Sequence, residues 1–492
     1  MNKINRFNTP EKVTDVIKKF LRDFELSERR NKMEEGKAYY RSLNQEIMDR
    51  KFYVYAENDN GDPVKQIDPY KANNKLASGY FKILVDQKIN YLLGNDVTIE
   101  SDDREELEEV IDTDRLQTTL KKVGKEASKK AIGWVQVYVD ENGDFKYTHI
   151  PAEQVIPVYK ADNKDELEMA IRYYKVTVLD KDGNQVKVNR VEVWDEEMTT
   201  YYQESANDNK YYMLMPENME QSSLFHPPYD NPRYHFQRDL VLGQSIRESE
   251  GLAWEKVPFI PLYNNDEGDN DLQPIKRFID AMDIVKSDFI NNLEDFQDVY
   301  WVLKGYGGQN LNDFLKQVKQ YRALKVADDG DARSEQIDIP TEARKEASEQ
   351  LERDIFTFGQ GVNPNQLGDG NITNVVIKSR FANLDLKADQ FEDEIKAFMR
   401  KLMYFINKYR EINGEDEIDI DNLVFDRTMI MNEVELLGAS VKQKGSISEQ
   451  TRLSNHPWVS NAEAELDKID AEMSEFTNLG PERDEETEEV DE

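Results

Sequence analysis

The 492-residue chain contains no cysteine, which excludes disulfides and thiolate metal sites and leads us to expect synthesis in a reducing cytoplasm. Histidine is almost as scarce. His149, His226, His235 and His456 are scattered, and none stands in H-E-x-x-H or a related spacing, so neither a metal centre nor a cofactor site is expected from them. No apolar run approaches the roughly 18 residues that a membrane span requires, and Met1-Asn-Lys-Ile-Asn-Arg6 has no signal-peptide core. The expectation is a soluble, non-exported protein with no membrane partner. Positive charge is also in deficit, with 64 Lys and Arg against 99 Asp and Glu and a net charge of −35. Such a chain is poorly suited to gripping nucleic acid by neutralising phosphates. The Asp/Asn/Gly clusters at 140–143 and 180–183 lack the glutamate that a calcium loop places after them, and read as turns.

What is present begins with a large capacity for a core: 38% hydrophobic residues, including 24 Tyr, 21 Phe and 5 Trp. The longest helical pattern runs from about Asn374, behind Thr373 as N-cap, with Leu384, Ala388, Phe391, Ile395, Phe398, Leu402, Phe405 and Tyr409 on one stripe. At ~35 residues it spans about 50 Å, more than a compact domain needs, so it reads as a spine or a coiled coil. Ahead of it lies Gly359-Gln-Gly-Val-Asn-Pro-Asn-Gln-Leu-Gly-Asp-Gly370, which has little preferred structure and is expected to be mobile. It is no phosphate cradle, because it lacks Gly-Lys-Ser/Thr and a preceding strand, and Asp369 would repel an anion.

In order, the chain predicts helices from Pro10 through Phe24 and around Met33 to Tyr40, a hairpin between Phe52 and Ile67, and a helix over Asn74 to Tyr91 that stops at Gly94. Residues 101–130 read as charged helix, with Lys121, Lys122, Lys125, Lys129 and Lys130 on a solvated face. A β-meander follows from Trp134 to Met215, then an irregular excursion over 216–250, then an apolar strand, Val257-Pro-Phe-Ile-Pro-Leu-Tyr263. A helix carrying Ile275, Phe278, Ile279, Met282, Val285, Phe289, Leu293 and Phe296 and a returning helix from Thr341 to Phe358 bracket a compact insert. That describes a hairpin with a knob at its tip, and its aromatic stripe predicts cover from neighbouring copies in an oligomer. Ser446-x-x-Glu449 and Ser460-x-x-Glu463 read as capping boxes of short C-terminal helices.

These segments carry a resemblance through their collinear order. Pro258-Phe-Ile-Pro-Leu-Tyr-Asn-Asn265, Ile279-Asp-Ala-Met-Asp-Ile-Val-Lys-Ser-Asp288, Asn291-Asn-Leu-Glu-Asp295, the glycine-rich loop with Asn371 and Val375 to Lys378, and Leu384-Asp-Leu-Lys-Ala388 are similar to the portal proteins of tailed double-stranded DNA bacteriophages, of the siphovirus type found in Gram-positive hosts. Tyr39-Tyr-Arg41, Asn73 to Gly94 and Ser446 to Leu466 fit the same family. The resemblance implies an α+β portal-type subunit: a β-rich wing (1–262), stem helices (263–296 and 341–358), a small α/β clip (297–340), a tunnel loop (359–373), a long spine helix with a wing return (374–424), a helical crown (425–476) and an acidic disordered tail (477–492). It further implies a closed homo-oligomeric ring, usually a dodecamer, at one capsid vertex of the virion, assembled in the host cytoplasm and conducting DNA in packaging and ejection.

The same resemblance names partners: the terminase large subunit, a head-completion or adaptor protein, the scaffold and major capsid proteins, and the DNA itself. It places Val362, Asn363, Asn365, Gln366, Lys378 and Arg380 at a DNA-channel loop, and Lys304, Tyr306, Lys316, Lys319, Arg322 and Lys325 on a partner-binding clip. No enzyme activity is expected. Two other readings of the residues stay open, a coiled-coil scaffold and a metal-dependent nuclease built on Asp280, Asp283, Asp288, Glu294 and Asp295.

Overall fold

The computed structural model describes residues 10–57, 63–68, 71–140, 142–163, 165–179, 182–206, 208–214, 231–242, 246–295, 300–304, 331–335, 340–366, 373–428 and 433–454, and most of 456–471. Helix α1 (Pro10–Glu25) begins at the expected proline, and α2 (Glu28–Tyr40) contains the expected Met33 to Tyr40 run, its start set by Ser27, which accepts from the Arg30 amide. The single turn α3 (Gln45–Met48) leads into the hairpin β1 (Tyr53–Glu57) and β2 (Pro63–Ile67), which pairs Tyr53 with Ile67.

Helix α4 (Tyr80–Leu93) starts six residues later than the apolar periodicity predicts. The reason is a competing partner. The amides of Asn74, Leu76 and Ser78 donate to Asn291 Oδ1 (2.6 Å), Ser287 Oγ (2.9 Å) and Asp283 Oδ1 (2.9 Å). The acceptors stand four residues apart on one face of the helix that follows the sheets, and alternate amides of an extended segment point toward one side, as helical amides do not.

After β3 (Thr98–Glu100), the charged stretch divides into α5 (Arg104–Val110) and α6 (Thr113–Lys130), because Asp112 accepts from the Arg115 amide and starts a new helix. The meander then separates into two sheets. Strands β4 (Ile132–Val139) and β5 (Phe145–Ile150) form one with β14 (Phe259–Tyr263), β4 lying in the middle. The other contains β6 (Val155–Tyr159), β7 (Leu167–Leu179), β8 (Gln185–Trp194), β9 (Met198–Glu204) and β10 (Tyr211–Met213) in reverse order, with β11 (Arg233–Tyr234) also on β9. Asp140 closes the first hairpin turn by accepting from Asn142 and Asp144, and Gly143 and Gly183 take the left-handed φ values that such turns need. Within the stretch expected to be irregular, β12 (Phe236–Leu242) and β13 (Ile246–Leu252) make a regular antiparallel hairpin. The six-stranded sheet packs its apolar face on α1 through Val13, Ile17, Leu21 and Phe24.

A second core joins α4 to α7 (Lys276–Asp295) and α8 (Thr341–Phe358) through Leu84, Val85, Ile279, Met282, Ile355 and Phe356. Strands β15 (Tyr300–Lys304) and β16 (Asp331–Glu335) pair and close the base of the insert between α7 and α8. The aromatic stripe of α7 is covered largely by its own chain. Met282 is buried, Phe278 stacks on Phe358 with centroids 5.0 Å apart, and the Arg344 guanidinium lies over Phe289, whereas Leu293 is 48% exposed and Phe296 lies outside the described residues, so outside cover is called for only at that end of the stripe.

The spine is α9 (Asn374–Asn413), 40 residues or about 60 Å, and its apolar stripe is buried from Leu384 to Phe405 as the spacing predicts, with Tyr409 half-buried at its end. Strand β17 (Asn422–Val424) pairs with β3, and α10 (Glu433–Gln443) and α11 (Glu449–Ser454) follow. Ser448, not Ser446, caps α11, since its hydroxyl accepts from the Thr451 amide; Ser460 and Glu463 lie outside the described residues. Two compact units result, one of residues 1–361 and 384–428, the other of 362–383 and 429–492. Within the second, Arg452 binds Glu449 and the Ser440 hydroxyl. Among the described residues no helix is long and apolar enough to cross a membrane.

Candidate functional site

The junction between α8 and the glycine-rich loop is built from three local facts. Helix α8 ends in a Schellman motif, the Gly361 amide donating to Phe356 O and the Gln360 amide to Thr357 O, with Gln360 in the left-handed region at φ +54°. Neither flanking glycine has a positive φ. Each instead makes room: a Cβ on Gly359 would stand 2.7 Å from Leu84 Cδ1, and one on Gly361 2.2 Å from Leu84 Cδ2. These two glycines serve close approach to α4, so the expected mobility does not extend to them.

The third fact is a buried charge cluster beneath the junction. Lys387 of α9 donates to the Gly359 carbonyl (3.0 Å) and lies 3.3 Å from Asp271. Lys88 of α4 donates to Asn264 Oδ1 (2.7 Å) and to Asp271 Oδ2 (3.2 Å), and its ammonium sits 4.2 Å from the centre of the Phe391 ring. Ser128 of α6 and Asn264 donate to the same carboxylate. Two ammonium groups thus share one carboxylate in a site where Lys88 is 1% and Lys387 8% exposed. Burial, aggravated by Lys387 and only partly offset by Asp271, brings the Lys88 amine down to about 8. For Asp271 the balance is opposite: burial would raise it, but Lys387 and Lys88 hold the carboxyl well below the usual range.

The candidate loop residues divide by burial. Val362 (4% exposed) and Asn363 (7%) are buried, whereas Asn365 is exposed on the single 3-10 turn Pro364–Gln366, its amide held by Asn363 Oδ1 at 3.0 Å. Val362 and Asn363 are therefore no part of an open loop surface, because the loop turns its first residues inward before exposing Pro364 and Asn365. The side chain of Gln366 and residues 367–372 lie outside the described residues. Lys378 and Arg380 are exposed on the first turns of α9, flanking buried Ile377 and Phe381 on opposite sides. Of the clip residues, Lys304 ends β15 and its side chain lies outside the described residues, as do Tyr306, Lys316, Lys319, Arg322 and Lys325 altogether.

The acidic set on α7 is committed to structural partners. Asp280 accepts from Tyr39 and Lys276, Asp283 from Asn44 and the Ser78 amide, Asp288 from both arms of Arg50 (2.8 and 3.0 Å), and Glu294 from Asn74. Burial raises the Asp283 carboxyl, which its amide donors only partly offset. The side chain of Asp295 lies outside the described residues. Nor do the α6 lysines form one solvated face. Lys130 is buried between Glu126 and Glu153, and Lys125 and Lys121 pair with Asp86 (3.0 Å) and Asp96 (3.7 Å).

Sequence reasoning missed Lys88, Asp271, Lys387 and Arg427. The last binds Asp385 (2.9 Å), Asp389 and Glu392 (3.0 Å) of α9, and Tyr91 of α4 donates to the same Asp385. A signal existed for Lys387, which stands three residues after Leu384 and four before Phe391, on the stripe otherwise reserved for apolar groups.

With this geometry in hand, three comparisons place the chain. The family model described as "Phage portal protein, SPP1 Gp6-like" matches residues 24–477. The portal protein of Bacillus phage SPP1 is 29% identical over 453 residues, covering 90% of this chain and 84% of its own. That of Clostridium phage phiCD119 is 29% identical over 451 residues, covering 86% and 92%. A solved structure titled "Neck of native GTA particle computed with C12 symmetry" overlaps 76% of this chain and 89% of its own, at 10% identity and a TM-score of 0.37. A family match that spans both sheets, α7, α8, the loop and α9 leaves one assignment: the chain belongs to the SPP1 Gp6-like family of phage portal proteins.

Proposed function

We propose that this portal protein is a conduit and not an enzyme: copies close into a ring at one capsid vertex, double-stranded DNA passes through the centre, and a separate motor supplies the work. The observation that carries the reading is the order α7, closed insert, α8, glycine-rich loop and 40-residue α9 in a chain of this family. The wing, stem, clip, tunnel loop, spine and crown follow as assignments on that order, with the clip residues Lys304, Tyr306, Lys316, Lys319, Arg322 and Lys325 meeting the terminase and later a head-completion protein. Charge supports the conduit. DNA carries one negative charge per about 1.7 Å of axis, so a basic channel would hold it in a salt-dependent grip and resist sliding, whereas subunits of net charge −35 favour passage.

Within the loop, exposed Asn365 offers an uncharged contact, and Lys378 and Arg380 offer transient phosphate contacts. Imaging of the purified chain in negative stain tests the assembly: rings with a central hole are expected, and a monodisperse monomer by native mass spectrometry at micromolar concentration overturns it. Asn365→Lys tests the channel. DNA passage should slow at low salt and recover as salt rises, since each added phosphate contact steepens the fall of log affinity with log salt by about 0.9. Lysine at Asn363 is unsuitable for this test, because it would bury a charge and report folding instead.

A further inference from the structure

The chain passes between its two compact units three times, after Gly361, before Leu384 and after Thr428. Each passage has a polar anchor inside the first unit, and all three anchors reach the same two turns of α9. Gly359, two residues before the first passage, receives the Lys387 ammonium on its carbonyl. Leu384 begins those turns, with Asp385 accepting from Tyr91 and Arg427. Arg427, one residue before the third passage, spans Asp385, Asp389 and Glu392, and the Thr428 amide next to it donates to Tyr91 O at 2.9 Å.

We infer that Lys387 and Arg427 are positioning residues that gather the three passages onto one anchor at Leu384–Glu392, so that the chain ends of the first unit at Gly361, Leu384 and Thr428 share one fixed base. The chemistry fits that task. Lys387 is one of two ammonium groups on Asp271, and the Gly359 carbonyl is the acceptor that completes its coordination, so the loop's origin is held by a group the core already needs. Arg427 is the planar counterpart, a fork that takes carboxylates from successive turns of one helix. The two sets touch through α4, which supplies both Lys88 and Tyr91. The consequence is that the loop's origin at Gly359 is tied to the spine through Lys387 and, through Leu84 and the Asp271 cluster, to α4.

For DNA passage the meaning of this anchor rests on the conduit reading, but its existence does not, and hydrogen exchange on the assembled full-length protein separates the two. In Lys387→Met the amides of Gln360 and Gly361 should exchange at least about tenfold faster, while those of Phe391 to Ile406 keep their protection. Lys387→Arg should restore most of it. Arg427→Gln should expose the Thr428 amide and leave Gly361 unchanged. Unaltered exchange at both reporters, or a uniform rise along α9 that Lys387→Arg does not repair, overturns the anchor. Should Lys387→Met fail to fold, Arg427→Gln and Lys387→Arg decide alone: an unmoved Thr428 amide in the first refutes the anchor. The expected exchange changes with unaffected DNA packaging would instead show that the anchor exists but does not serve DNA passage.

Discussion

Two clusters in this molecule use the same residue types and behave differently. Around Lys130, the one deeply buried ammonium sits between Glu126 and Glu153, and the additional cations Lys37 and Lys129 lie nearer solvent, Lys37 with 39% of its side chain exposed. Around Asp271 the ratio is inverted, two deeply buried ammonium groups to one carboxylate. The first arrangement tolerates loss of a partner because water and a second carboxylate remain. The second has neither, and it depends on neutral acceptors, Asn264 Oδ1 and the Gly359 carbonyl, and on the Phe391 ring.

The largest effect that breaks this comparison is therefore Asp271→Asn. It leaves two buried ammonium groups without a counter-charge and should destabilise the fold by roughly 3–5 kcal/mol, whereas Glu153→Gln, which leaves Glu126 on Lys130, should cost about 1–2 kcal/mol. Chemical denaturation of both variants reads the difference. Equal losses would mean that the charge ratio is not what separates the clusters.

The pH dependence sharpens the same contrast: both slopes share a sign, but at neutral pH the charge on Glu153 stabilises the fold while the charge on Lys88 costs it. Burial alone would push Glu153 up, but Lys130 and Lys37 hold its carboxyl at about 2, below the unfolded value of 4.5. Its contribution is present above pH 4.5 and is lost as pH falls toward 2. Lys88 has the same slope in an alkaline window: with the folded value near 8 and the unfolded value 10.5, the unfolded chain binds the extra proton between these pH values, so stability rises from pH 8 to 10.5 as the buried charge is lost. Each should be worth on the order of 3–4 kcal/mol across its window at about 1.4 kcal/mol per unit. Lys88→Met should remove the alkaline rise and leave the acid loss intact; if both limbs persist, the assignment of the alkaline limb to Lys88 fails.

The contrast also shows what the sequence made legible. Helix α8 and the start of α9 appear where local spacing and Thr373 put them, because apolar periodicity and capping are written in adjacent residues. The order of segments was enough to expose the family. What escaped depends on residues far apart in the chain. The amides of 74–78 turn away from helix toward side chains of α7, β14 inserts beside β4, and Lys88, Asp271 and Lys387 meet across three segments, each looking locally like a stray charge. At the site itself the loop was legible as a loop, but its glycines read as freedom when two of them serve contact with Leu84.

The smallest expected effect tests that last point. At the end of α8 the left-handed position is held by Gln360, while glycine occupies both neighbours, which do not need it for their φ values. A side chain in the left-handed region costs roughly 1 kcal/mol, a cost absent for glycine. Gln360→Gly should therefore stabilise the junction by about 0.5–1 kcal/mol, the greater flexibility of glycine in the unfolded chain taking back part of the gain. Gly361→Ala, one position on, should destabilise by about 1–3 kcal/mol, since its Cβ would meet Leu84 and Gln87 in a packed core. Adjacent substitutions in opposite directions give opposite signs only if the flanking glycines serve packing and Gln360 bears the backbone strain. Thermal unfolding of the two variants settles it, and a stabilising Gly361→Ala would return these glycines to the role of hinges.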